Sequence, residues 1–157
     1  MIQLWMAPLL LAVPAAAEPK LSFGRLEHSP AHCRIVVGGH SLACERLQIS
    51  TNGIRGLRLR FIGDDQTTGG SYQLSFVSID EDHGNPLSCD NSGCRVDSRR
   101  WSARLFSTSL VRFDARGLPT GLPATRMAQG RCWIDADIVS CESSSGNVVG
   151  MSAKAQL

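Results

Sequence analysis

No window of this sequence repeats apolar residues at 3.6-residue spacing between recognisable helix caps, which argues against a helical bundle or a doubly wound α/β fold. There is no G-x-S-x-G elbow and no G-x-x-x-x-G-K-[ST] loop. Neither a hydrolase nucleophile nor a phosphate cradle is therefore announced. The cysteines never stand in C-x-x-C spacing, so a zinc site lacks its usual signature and no cofactor is implied. The formal net charge is only +2, and 6% of the residues are aromatic. Nucleic acid and anionic membrane are not expected as partners of so weakly basic a chain.

One long apolar run does occur, at the start. Leu4 to Val13 is interrupted only by Pro8 and is followed by Pro14-Ala15-Ala16-Ala17. It is shorter than the roughly 20 residues a bilayer requires. With small residues at Ala15 and Ala17 it reads as a signal peptide over 1–17, with Glu18 as the mature N-terminus. The segment before the run has no Lys or Arg, and no cysteine follows it for lipid attachment. The expectation is a secreted or periplasmic protein, not membrane-embedded in its mature form, with 18–157 as a single domain.

The rest is organised around Cys33-Arg-Ile-Val-Val-Gly-Gly-His-Ser-Leu-Ala-Cys44. Gly38-Gly39 suits a two-residue hairpin turn, because such turns need positive φ. Folding there sets Val37 opposite His40, Ile35 opposite Leu42 and Cys33 opposite Cys44. Cys132 and Cys141 repeat the device, and Cys89 and Cys94 close a shorter segment. Facing residues on antiparallel strands lie within disulfide range. Local pairing, Cys33–Cys44, Cys89–Cys94 and Cys132–Cys141, is the favoured set of the fifteen that six cysteines allow. A crossed set, such as Cys33–Cys132 with Cys44–Cys141, would instead tie the hairpins together.

Strand patterns fill the chain. Leu57, Leu59 and Phe61 alternate with Arg58 and Arg60; Tyr72, Leu74 and Phe76 share a parity. Lys20 to His28 reads as a first strand. The second strand of the Cys33 hairpin is expected to run on through Arg46–Ile49, Thr51-Asn52-Gly53 to turn, and Gly63–Gly70 to be a loop. Trp101, Ala103 and Leu105 take one parity, and Phe106 and Leu110 the other, which calls for a bulge or change of face. Short strands punctuated by Gly, Pro and Asn indicate an all-β fold, an antiparallel sandwich or barrel of about eight strands. A faint echo between Leu21–Glu45 and Val111–Glu142 admits a duplicated unit or coincidence.

Candidate functional residues concentrate between 80 and 100. Asp80, Asp82, His83, Asp90 and Asn91 are the expected binding residues, on a loop braced by Cys89–Cys94. Asp80, Asp82, Asn85 and Asp90 supply oxygen atoms but not in EF-hand spacing. His28, His32 and His40 cluster early, and Arg55, Arg58 and Arg60 stripe one strand. Arg95, Arg99, Arg100 and Arg104 form a second basic group. The reading that follows is an exported, non-catalytic binding module for a protein or glycan partner, such as an inhibitor or envelope-associated protein. The alternative is a small secreted hydrolase using the carboxylates and histidine of the 80–100 loop.

Overall fold

The computed structural model describes residues 24–51, 56–79, 84–97, 100–144 and 150–157. Among them there are thirteen strands and no helix, rather than about eight strands. No helix is long and apolar enough to cross a membrane among these residues. The strands are β1 (Arg25–His28), β2 (Cys33–Val37), β3 (His40–Ala43), β4 (Arg46–Thr51), β5 (Gly56–Asp65), β6 (Gly70–Ile79), β7 (Leu87–Asp90), β8 (Gly93–Val96), β9 (Arg100–Phe113), β10 (Ala124–Met127), β11 (Gln129–Asp135), β12 (Ile138–Ser144) and β13 (Met151–Gln156).

Every ladder is antiparallel. The main sheet runs β1-β4-β5-β6-β9-β11-β12-β13-β2-β3, with β10 beside β9, and β7-β8 forms a separate ribbon. The path has two ends, β1 and β3, so the sheet is not a closed barrel. The end of the β2–β3 hairpin nevertheless reaches the middle of the sheet. Glu45 N–H donates to the Ile62 carbonyl (2.9 Å), and the Tyr72 hydroxyl donates to the Ala43 carbonyl.

The central hairpin folds in the register its glycines dictate. Gly38 and Gly39 have φ of 66° and 77°, and Val37 pairs with His40 and Ile35 with Leu42. All three local disulfides form, and no cysteine is free. Cys132 pairs directly with Cys141, and both are fully buried.

Two local expectations are corrected. The strand after Gly39 does not continue into Arg46–Ile49. It stops at Ala43, Cys44 turns back to Cys33 (N–H to carbonyl 3.3 Å), and β4 pairs with β1 and β5 instead. Inward positions shift from even (Leu42, Cys44) to odd (Leu47, Ile49), which a regular, unbulged strand cannot accommodate. Gly63–Gly70 is likewise not all loop: β5 runs to Asp65 and only a short turn precedes β6. Gly63 lies in the strand because Tyr72 and the Ala43 carbonyl occupy the space of a Cβ. The expected turn at Thr51-Asn52-Gly53 and the part of the first strand before Gly24 lie outside the described residues, in part or whole.

The parity change in β9 is a bulge. Val77 pairs with Ser107 and Ser78 with Leu105, which leaves Phe106 unpaired toward β6 and 46% exposed. Inward residues switch from Trp101, Ala103 and Leu105 to Thr108 across it. On its other edge β9 pairs first with β11 and then with β10, and Ala128 N–H between them donates to the Phe106 carbonyl (3.1 Å).

One core joins all this. Leu47, Ile49, Leu59, Phe61, Leu74 and Phe76 are fully buried, and the Phe61 and Phe76 rings meet edge to face with centroids 5.9 Å apart. Each such side chain contributes about 1.5–3 kcal/mol by leaving water. Ile35, Cys132, Ile134, Val139, Cys141 and Ala153 bring the other half of the sheet to the same cluster.

Candidate binding face

Of the expected binding residues, Asp80, Asp82 and His83 lie outside the described residues. Asp90 and Asn91 sit at the β7–β8 turn. Asp90 is engaged within that turn. Its Oδ1 accepts from the Ser92 hydroxyl and amide, and its Oδ2 lies 3.1 Å from Arg95, which also holds Asp97 (2.8 Å). The Ser92 hydroxyl first, then its amide and the Arg95 guanidinium, hold the carboxyl down to about 2. Asn91 is exposed.

The Cys89–Cys94 bridge faces inward rather than out to the tip. Both cysteines pack on the core, and a Cβ at Gly24 would overlap both sulfurs. The bridge is thus the surface by which the ribbon docks on the chain just before β1. Among the described residues, His, Cys, Asp and Glu side chains nowhere gather in a group of three that could hold a metal ion. His28 ends β1, His32 precedes β2, and His40 begins β3 at the far end of the hairpin.

The arginine stripe is more confined than alternation alone implies. Arg58 and Arg60 face outward but are half-buried, and Arg60 Nε is buried without a hydrogen-bond partner among the described residues. Burial first, then the nearby Arg58 and Arg25 charges, push the Arg60 guanidinium down. Glu27, an acid on this face, accepts from Gln48 (3.1 Å) and lies 3.9 Å from both Arg25 and Arg46.

The opposite end of the sheet carries two adjoining clefts. On β11, Cys132 and Ile134 point inward, so Arg131, Trp133 and Asp135 point out. The same alternation turns Ser140 and Glu142 outward on β12, Ser152 and Lys154 on β13, and Arg34 and Val36 on β2. The ladders set four of these in one transverse row: Trp133 pairs with Ser140, Ser140 with Lys154, and Lys154 with Arg34.

Around this row lie two open clefts, of about 380 and 860 Å³. The smaller is lined by Trp133, Asp135, Ser140, Glu142 and Val36, among others; the larger extends past the Cys33–Cys44 bridge to His32 and Glu45. Arg34, Ile138 and Lys154 line both.

Arg34 and Lys154 are like charges directly opposite on neighbouring strands, a destabilising arrangement. Among the described residues neither has a carboxylate within 4.0 Å. The Ser140 side chain is almost fully buried in the floor between Trp133 and Lys154. Arg131 sits over one side of the Trp133 indole, 4.9 Å from the ring centroid, a cation–π contact. Trp133 lines the smaller cleft and Arg131 does not.

The sequence reading missed Trp133, Ser140, Lys154 and Arg34. The alternation Arg131-Cys132-Trp133-Ile134-Asp135 could have marked Trp133 as outward-facing. Nothing local could have put Arg34 beside Lys154.

The molecule is thus an all-β domain braced by three disulfides, with a charged cleft on the outside of its sheet. Comparison of the chain with protein-family models, with curated proteins and with solved structures finds no match.

Proposed function

We propose that the chain is an exported, non-catalytic binding module whose contacts lie on the outer face of β11, β12, β13 and β2. The observation that carries this reading is the Arg34–Lys154 pair. Two cations held face to face, with no ion pair among the described residues, weaken the free protein, and an anionic ligand seated on both relieves that repulsion. The groups beside them, an indole, a hydroxyl and a carboxylate, are recognition groups converging on a concave surface.

Export is supported by the apolar segment ending at Ala17 and by the use of all six cysteines in internal disulfides, which persist in oxidising compartments. The scaffold is read as a sandwich, in which the two halves of one curled sheet cover a common core. On this reading the β7–β8 ribbon braces the scaffold and Asn91 is exposed at its turn.

The test has two parts. Intact mass of protein recovered after export should begin at Glu18; retention of Met1 removes the export reading. Wild type and Arg34→Gln/Lys154→Gln should then be compared on arrays of glycans and peptides. Ligands retained by wild type and lost by the variant, with an unchanged melting curve, support the face. Retention indifferent to both substitutions moves the site elsewhere.

A further inference from the structure

The row Trp133–Ser140–Lys154–Arg34 has a length, a polarity and a place in the sheet, and each restricts what it can hold. Successive strands are about 4.8 Å apart. The indole is therefore two ladders, about 10 Å, from the Lys154 strand and about 14 Å from the Arg34 strand. A single small anion held by the cations leaves the indole uncovered, so the ligand that uses the whole row is extended.

The position is the middle of the sheet, not an edge. β11, β12, β13 and β2 are each paired on both sides, so their backbone donors and acceptors are engaged. An extended peptide, which gains affinity by adding a strand to a free edge, finds none here. Only side chains are on offer, and they suit a ring-built ligand bearing hydroxyls. A flat indole receives the apolar face of a sugar ring, and the Glu142 carboxylate lining the cleft can accept from sugar hydroxyls.

Charge narrows the choice again. Arg34 and Lys154 ask for an anion, and a guanidinium fork matches a carboxylate in two parallel hydrogen bonds. Glu142, diagonal to Lys154, and Asp135 line the same cleft, so a densely charged polymer is repelled where a single carboxylate set between the two cations is not.

We propose that this face binds a carboxylate-bearing oligosaccharide, with one sugar ring against Trp133 and the carboxylate of another unit between Lys154 and Arg34. The inference rests on the proposed placement of the binding face and adds the ligand class. It assigns positions to Trp133, Lys154 and Arg34 as the residues that contact the ligand, with Ser140 as the floor of the site.

The experiment is titration of the ¹⁵N-labelled protein, disulfides intact, with a saccharide trimer of two neutral galactose units and one galacturonate. Its methyl ester, free galacturonic acid and a short poly-glutamate peptide are run in parallel. The trimer should shift the Trp133 indole resonance and the amides of β13 and β2. Arg34→Gln/Lys154→Gln and Trp133→Ala should each weaken it by about tenfold or more. Trp133→Phe, which keeps a ring, should retain part of the binding and serves if the alanine variant fails to fold.

The ester and the monomer should both bind much more weakly, and rising salt should weaken the trimer. Equal affinity for the ester would overturn the carboxylate assignment. Tighter binding of poly-glutamate, indifferent to Trp133, would overturn the saccharide class while leaving the face in place. Shifts confined to the β7–β8 ribbon would overturn the face itself. No trimer-dependent shift up to millimolar concentration would overturn the saccharide proposal.

Discussion

Gly63 lies directly across the β5–β6 ladder from Tyr72, and the phenol passes over it to donate to the Ala43 carbonyl. The missing side chain on one strand thus makes room for the hydrogen bond that ties the β2–β3 hairpin to the centre of the sheet. Gly63→Ala should cost about 1–3 kcal/mol by overpacking a site with no slack. Tyr72→Phe should cost about 1 kcal/mol by leaving the carbonyl without its donor. Urea unfolding measures both, and a Gly63→Ala variant as stable as wild type would show that the hairpin end is not held by this contact.

The same tyrosine predicts behaviour in alkali. Burial first, then the Glu45, Asp65 and Asp64 charges, raises the Tyr72 phenol above its ordinary value. The folded state therefore favours the neutral form. Its contribution is fully present below the unfolded value near 10 and is lost as pH rises from there through the higher folded value. The stability difference between wild type and Tyr72→Phe should shrink across that window. A difference constant to the alkaline limit would mean that Tyr72 does not titrate abnormally.

Gly24 should be coupled to the Cys89–Cys94 bridge. A methyl group there overlaps both sulfurs, so Gly24→Ala should displace the ribbon and cost about 1–3 kcal/mol with the bridge intact. In a Cys89→Ala/Cys94→Ala background the same substitution should cost much less. A double-mutant cycle reads the difference. Additive costs would mean that the bridge does not pack on residue 24.

Neighbouring positions on β5 should respond in opposite directions. Leu59 is fully buried, and Leu59→Ala should cost roughly 2–5 kcal/mol. Arg60 places an Nε with no hydrogen-bond partner among the described residues under cover beside two like charges, so Arg60→Gln should leave the melting temperature unchanged or raise it. A large loss of stability in Arg60→Gln would reveal a partner for the guanidinium.

Asp90 should remain ionised well into acid. Its ordinary value is near 3.9, and the turn holds it to about 2. The contribution of the ionised turn is present above the unfolded value and is lost as pH falls from there through about 2. Carboxyl carbon NMR in wild type and Ser92→Ala measures this, and the variant should titrate at higher pH. Coincident curves would remove Ser92 as the main cause.

Much of the fold was legible because it is local. The Gly38-Gly39 turn, the three cysteine pairs, the alternation around Leu59 and the bulge at Phe106 each depend on residues close in sequence. The period-two pleat converts such spacing directly into pairing or facing. Three decisions were not local. β4 left its hairpin neighbour for β5 and β1, the ribbon turned its disulfide inward against Gly24, and β13 inserted between β12 and β2.

The last of these built the cleft. Trp133 and Ser140 could be aligned from their own hairpin, but Arg34 and Lys154 come from opposite ends of the chain. The sequence by itself determined which residues alternate, turn and cross-link. The tertiary structure alone decided which strands became neighbours, because that choice is set by how the apolar faces of distant segments best cover one core, and no single segment contains it.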